Sequence, residues 1–257
     1  TRYRYDLNED RTLWLSEQAA TRALEDAGLT GADVDLVIVA TVTMEMTCPS
    51  VSCRIAGAVG AKNAAAFDLV AACSGFVYAL NTAEAMVRAG RARTVAVIGS
   101  EAMSSIIDYT DRTVSILFGD AAGCAIIQAD ADPTKGCIYQ HMGADGSGWH
   151  ALYIPRRESD VPAEDIGNPV RLGCLRMNGK EVFRFAVTKF KEVMEDAFSK
   201  TGLTPEDVSQ VICHQSNVRI IDAAREKLHI DPSKIYVNID RYGNSSAGSV
   251  PLCLDEL

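Results

Sequence analysis

The chain has 257 residues, 47% of them hydrophobic, and a formal net charge of -9. That length supports one large α/β domain or two small ones with a real core, and the acidic balance argues against a general nucleic-acid binder. No apolar run approaches the roughly 20 residues of a membrane-spanning helix, and the eight cysteines are scattered through apolar segments, as reduced cysteines of a cytoplasmic protein are.

Leu13, Ala20, Ala23, Leu24 and Ala27 share one helical face, closed by Gly28. The continuous apolar runs VDLVIVATV (34–42) and TVAVIGS (94–100) predict buried strands, and AAFDLVAA (65–72) is a further candidate. SGFVYALNTAEAMVRAG (74–90) predicts a helix, and VSILFGDAAGCAIIQA (114–129) predicts two strands about a Gly-Asp turn. From 141 to 171 glycine, proline and charges dominate, which reads as a long surface excursion. A helix follows with Phe183, Ala186, Val187, Phe190, Val193, Met194 and Ala197 on one face. Then come a strand (208–213), a helix (217–228), a strand (235–239) and the Gly-rich YGNSSAGSVP.

GLTGADVDLVIVAT (28–41) lines up with GLTPEDVSQVICHQ (202–215), each preceded by an amphipathic helix. Two ordinary helix–turn–strand units can match by chance, but the order of the following elements matches too, which favours duplication. The expected division is an N-terminal half at 1–140, an excursion at 141–175 and a C-terminal half at 176–257. By the logic of the repeat the chain stops inside the counterpart of the first half's 74–90 helix, so a final strand pair is expected beyond it.

The segment FDLVAACSGFVYAL places Cys73 between a strand and a helix, among the smallest residues. A helix N-terminus favours a thiolate there, small neighbours admit a carbonyl, and the Cys73 N–H can serve as half an oxyanion hole. Read alone, Cys73 is equally a small buried residue at a tight turn. His214 ends a buried strand in VICHQSNVRI, a place for acid–base chemistry or for a capping histidine. Asn244 stands in the Gly-rich loop, where an asparagine is usually a turn or cap residue. Together the three make a Cys, His, Asn arrangement suited to nucleophilic catalysis. The pair in CPSVSC has no partner pair or nearby histidine, so no metal site is expected.

At these residues the sequence resembles β-ketoacyl-acyl-carrier-protein synthase III of the thiolase superfamily. AACSGFVYAL is similar to that family's nucleophile segment, CHQSNVRII to its histidine segment and DRYGNSSAGSVPLCLDEL to its asparagine segment; RYRYDLNED, DYTDRTVSILFGDAAGCAII and MNGKEVFRFAV agree as well. The resemblance implies an α/β, thiolase-like five-layered α-β-α-β-α fold of two duplicated halves, normally a homodimer. It implies that Cys73 takes an acyl group from acyl-CoA. Malonyl-acyl carrier protein then loses carbon dioxide, and its enolate attacks the acyl-cysteine, with His214 and Asn244 donating hydrogen bonds and no cofactor beyond the substrates. Arg112 resembles an arginine that packs on the CoA adenine, and Gly179, Phe183 and Asn217 resemble residues of the pantetheine tunnel. Phe183 reads equally as core of its helix face. Cys48 falls where a residue reaches into the neighbouring subunit and closes the acyl pocket; a small side chain there implies room for longer acyl groups, or simply a packed loop.

Carrier proteins are acidic, so docking needs a local basic patch. Lys180, Arg184, Lys191, Arg219, Arg225 and Lys227 are candidates, and equally they are ordinary solvated helix faces. Against the family pattern, an opening strand, the aromatic partner for adenine and a C-terminal Gly-rich loop are absent, so the chain is expected to be truncated at both ends. Two other readings stand beside the condensing enzyme. One is a relative of natural-product pathways using the same three residues. The other is a non-catalytic thiolase-fold subunit, which would be expected to lose the nucleophile. Thiolases proper are disfavoured, because they use a second cysteine as the acid–base group in the second half, where the compared position holds no obvious match, although Cys253 sits nearby in the last helix.

Overall fold

A computed structural model describes residues 11–132 and 134–257. The RYRYDLNED stretch that shares in the resemblance lies outside the described residues.

Helix α1 (Arg11–Asp26) buries Thr12, Ser16, Ala20 and Leu24 along one stripe. It leads through Gly28, at φ +66°, into strand β1 (Leu36–Ala40), every residue of which is buried. Helix α2 (Val51–Ala58) precedes β2 (Ala65–Leu69), and α3 (Gly75–Arg88) precedes β3 (Thr94–Ala102). Strand β3 is buried along its whole length, as a central strand must be when both sheet faces are covered. A one-turn helix α4 (Arg112–Ser115) precedes β4 (Asp120–Gln128). The sheet order is β2-β1-β3-β4, with β1 parallel to β2 and β3, and β4 antiparallel to β3. One face packs Val37, Val39, Ala96 and Ile98 against Leu24 and Ile55 of α1 and α2. The other packs Ile38, Ala40, Val95 and Val97 against Phe76 and Ala79 of α3 and against Val250.

The excursion carries short 3₁₀ turns and strand β5 (Leu152–Tyr153), which pairs antiparallel with β6 (Arg176–Met177) just beyond its end. It is tied to the rest by Leu175 and Ile154, which pack with Phe118 and Val114, and by polar contacts: Arg176 lies 2.7 Å from Asp111, and the Asn178 N–H donates to Ala151 at 2.8 Å. Then come α5 (Gly179–Thr201), α6 (Val218–Lys227), one-turn α7 (Ile239–Tyr242) and α8 (Ser249–Asp255). Val211, Leu228 and Ile230 pack with Phe190 and Met194 in a second core.

The duplication is visible in the backbone. Helices α1 and α5 both run into a left-handed glycine, Gly28 and Gly202. In each half a threonine then binds an aspartate three residues on through both backbone N–H and hydroxyl: Thr30 to Asp33 and Thr204 to Asp207. Val37 pairs with Ala66 in parallel, and its counterpart Val211 pairs with Ile235 in parallel.

Two expectations are corrected. The segment expected to form two strands about a Gly-Asp turn holds one strand. Asp111 caps α4 by accepting from the Thr113 N–H at 2.9 Å, and Val114 and Phe118 are buried in a small cluster with Met103 and Leu175. The strands expected at 208–213 and 235–239 meet only in the isolated bridge Val211–Ile235. There the Gln215 side chain replaces the ladder: its Nε2 donates to Tyr236 O at 3.1 Å, and its Oε1 accepts from the Asn238 N–H at 3.0 Å.

Candidate active site

Two matching turns form the centre of the molecule. After β2 the chain turns at Ala72, φ +46°, through the 3₁₀ turn Ala72–Ser74 into α3. In the second half it turns at Ser246, φ +48°, through the 3₁₀ turn Ser246–Gly248 into α8. Ala72 and Ser246 stand as far apart in sequence as Gly28 and Gly202, so these are the same turn in the two halves. Left-handed backbone is uncommon outside glycine and persists where surrounding structure enforces it. The turns pack back to back, and a Cβ at Gly99 of β3 would sit 2.2 Å from Ala247 O. Only glycine lets the second turn come this close to the central strand.

Cys73 is half-buried at the first turn, which packs against the second turn carrying Ser246. Burial pushes the thiol up to about 11, and the Glu101 carboxylate adds to it. This is opposite in direction to the thiolate expected from the helix dipole, because desolvating a charge here outweighs it.

His214 follows the bridged segment, and its Nδ1 lies 2.7 Å from Ser249 Oγ. Burial lowers its pKa to about 4, so the ring is neutral near pH 7. Its Nε2 is buried and has no hydrogen-bond partner among the described residues. Ser249 governs the tautomer. If its hydroxyl donates to Nδ1, Nε2 carries the proton; if it donates to Ser246 O, 2.9 Å away, Nε2 is an acceptor. Asn244 is buried and stitched to the loop before β4, its N–H donating to Leu117 O at 2.8 Å and its carbonyl accepting from the Gly119 N–H at 3.0 Å. Its Oδ1 accepts from the Ser246 N–H at 2.9 Å, leaving the Nδ2 end of the amide to donate.

The other candidates are spread more widely. Gly179 opens α5, and with Lys180, Phe183, Arg184, Val187, Thr188 and Lys227 it lines a cleft of about 550 Å³. Asn217 caps α6, its Oδ1 accepting from the Arg219 N–H at 2.9 Å, and Arg219 itself is exposed. Arg225 lies in a different cleft with Pro205, Glu206 and His229, and it pairs with Asp222 and Glu226 of its own helix. Lys191 pairs with Glu195. Arg112 is exposed at the start of α4, and Cys48 is exposed before Pro49. Cys253 is buried in α8, its thiol donating to Asn238 Oδ1 at 3.4 Å. Among the described residues no helix is long and apolar enough to cross a membrane.

Sequence reasoning missed Glu101. It is fully buried at the end of β3 and hydrogen-bonded to Thr41, Val42, Thr43 and Ser246. A carboxylate directly continuing the run TVAVIGS was the available signal. Ser246 and Ser249 were also passed over as loop residues, although both are buried.

Comparison with known proteins agrees with this geometry. Residues 67–146 match the family model described as 3-oxoacyl-[acyl-carrier-protein] synthase III, and residues 198–257 match its C-terminal counterpart. The β-ketoacyl-[acyl-carrier-protein] synthase III of Caldanaerobacter subterraneus subsp. tengcongensis is 45% identical over 242 residues, covering 94% of this chain and 73% of the relative. That of Clostridioides difficile is 42% identical over 253 residues, covering 98% and 76%. Among solved structures, the 3-oxoacyl-[acyl-carrier-protein] synthase III of Aquifex aeolicus superposes with a TM-score of 0.89 at 39% identity, covering 98% of this chain and 77% of that one. A priming β-ketosynthase from a polyketide biosynthetic pathway superposes at 0.87 with 36% identity, covering 99% and 75%. With its paired turns, half-buried histidine and buried asparagine, and these relatives, the chain belongs to the 3-oxoacyl-[acyl-carrier-protein] synthase III family of thiolase-fold condensing enzymes.

Proposed function

We propose that Cys73 accepts an acyl group from acyl-CoA and that His214 and Asn244 stabilise the enolate formed when malonyl-acyl carrier protein loses carbon dioxide. As a family member the chain is an acyltransferase-type condensing enzyme, acting at the initiation of fatty-acid synthesis. The observation that carries the assignment of roles is the buried, unpartnered Nε2 of a neutral His214. A buried polar atom left without a partner is costly in a folded protein unless something else binds there. With Ser249 donating to Nδ1, Nε2–H and the Asn244 amide are two neutral donors. Such donors stabilise a developing oxyanion without attracting a proton away from it. Intact-protein mass spectrometry with an acyl-CoA series tests this reading: one acyl adduct is expected, and its chain-length profile reports the primer. The likeness to the priming β-ketosynthase supports a second reading, a priming step of natural-product assembly, and the same profile separates the two.

Docking of an acidic carrier protein is assigned to the cleft along α5, where Lys180, Arg184 and Lys227 converge. Charged rims set association more than chemistry. The double variant Lys180→Glu, Arg184→Glu is expected to raise KM for malonyl-acyl carrier protein by about tenfold or more at low salt, the gap closing as salt screens it. An unchanged KM in steady-state assays across a salt series would move the docking surface elsewhere.

A homodimer is assigned to the free edge of β2. Among the described residues this strand pairs only with β1, and around it Phe67, Val70 and Val77 are exposed. An unpaired apolar edge is a template for pairing with another chain, and a second copy brings the identical edge. Phe67→Glu is expected to convert a dimer to a monomer in analytical ultracentrifugation; a monomeric parent protein would refute the assignment.

A further inference from the structure

We propose that Glu101 is a positioning residue: it anchors the second turn through the Ser246 hydroxyl and so holds Asn244 and His214 in register for the enolate. The inference rests on the donor roles given to those two residues above.

Glu101 is fully buried near the end of β3, and burying a carboxylate is costly unless donors surround it. Among the described residues no cation pairs with it. Its donors come from two places. From the segment after β1, the Thr43 hydroxyl donates to Oε2 at 2.7 Å and the Thr41 hydroxyl to Oε2 at 3.2 Å, and the Val42 N–H lies within 3.2 Å of both oxygens. From the second half, the Ser246 hydroxyl donates to Oε1 at 3.1 Å, across 145 positions of sequence. Thr43 is itself fixed, its Oγ1 accepting from the Ala102 N–H at 2.9 Å and lying 3.0 Å from the Thr12 hydroxyl of α1. The carboxylate therefore ties the second turn to the strand that is buried along its whole length.

Ser246 passes this fixation on to both donors. Its N–H donates to Asn244 Oδ1 at 2.9 Å, which leaves Nδ2 as the free end of the amide. Its carbonyl lies 2.9 Å from Ser249 Oγ, which in turn lies 2.7 Å from His214 Nδ1. The Asn244 backbone is held separately, by Leu117 and Gly119. What Ser246 adds is the direction of the side chain. It does so from a left-handed conformation, φ +48°, which a non-glycine residue keeps only where its surroundings enforce it. The hydrogen bond to Glu101 is such a constraint. Oxyanion donors act by being preorganised, and a misplacement of about 1 Å costs roughly 100-fold in rate.

The test separates the two half-reactions. Ser246→Ala removes the hydroxyl that Glu101 holds and leaves Thr41, Val42 and Thr43 on the carboxylate. It also keeps a backbone conformation that Ala72 already adopts in the matching turn. Glu101→Gln keeps the shape and sets a donating Nε2 against the Val42 N–H. Each variant is expected to lower kcat for carbon dioxide release from a malonyl thioester by about 10- to 100-fold, with KM within about threefold of the parent. Acylation of Cys73 by acyl-CoA, followed by intact mass in a single turnover, is expected to be no more than about threefold slower. In the Ser246→Ala background, Glu101→Gln is expected to add less than about threefold, as for groups that act as a unit. A purely structural role would lower the folded fraction and cut both half-reactions by the same factor. That result overturns the proposal, and so does carbon dioxide release within about threefold of the parent in either variant. Asn244→Ala is the reference. If it slows carbon dioxide release and Ser246→Ala does not, positioning alone fails; if it does not, the donor reading fails and positioning with it. Should Glu101→Gln not fold, Ser246→Ala decides by the same comparison of half-reactions.

Discussion

Cys73→Ala is expected to leave the protein mass unchanged after incubation with acetyl-CoA or any longer acyl-CoA, and to reduce condensation below detection. The substitution removes one sulfur atom from a half-buried site whose backbone is already held by two packed turns. Alanine accepts the neighbouring backbone geometry, as Ala247 does in the twin turn. Stability should therefore change by no more than about 1 kcal/mol, the scale of losing one small buried group. Lost acylation with a retained melting curve isolates the chemistry from the fold. The chain has seven other cysteines, so the readout must be site-resolved. An adduct that survives in Cys73→Ala and maps to another cysteine would overturn the assignment of the nucleophile.

The second large effect belongs to the two donors. His214→Ala and Asn244→Ala are each expected to slow decarboxylation of a malonyl thioester by about 100- to 1000-fold, the usual loss for one oxyanion donor. Measuring carbon dioxide release, rather than the full cycle, keeps this effect apart from acylation. A loss below about threefold in either variant would remove that residue from the enolate site. His214 also carries a stability signature. Its folded pKa is lowered from 6.5 to about 4 by burial, so the unfolded chain binds the proton more readily. Its contribution is fully present above about 6.5, is lost as pH falls, and is exhausted below about 4. His214→Asn should flatten that part of the pH-stability curve in denaturant titrations. A curve unchanged between pH 6.5 and pH 4 would mean that the imidazole is not desolvated.

The first half was legible in the sequence because its central strands β1 and β3 begin as continuous apolar runs and α1 and α3 run into the left-handed glycines Gly28 and Gly90. The apolar stretch around Phe118 misled because a short hydrophobic run reads alike in a strand and in a buried turn. What decides it is Leu175, which reaches Phe118 from the excursion, and no local pattern contains that contact. The second sheet misled for a different reason. Gln215, one residue past His214, spends its side chain on backbone groups that a partner strand would otherwise take. Of the site, Cys73, His214 and Asn244 announce themselves by residue type and setting. Glu101 and Ser246 do not, because their importance arises only where the two halves meet, far apart along the chain.

The back-to-back turns also bear on how the protein opens. Catalytic groups commonly sit on segments that unfold locally at low cost. Here the turn carrying Cys73 leads into α3, and its twin is pressed against β3, the strand buried along its entire length. Amide hydrogens at Ser74, Gly75 and Gly248 should therefore exchange with solvent only when the whole domain unfolds. Those of the excursion, exposed over most of its length, should exchange through small local openings. The moving parts that admit a long substrate then lie around the rim, while the reacting centre stays in the slowest-exchanging part of the molecule.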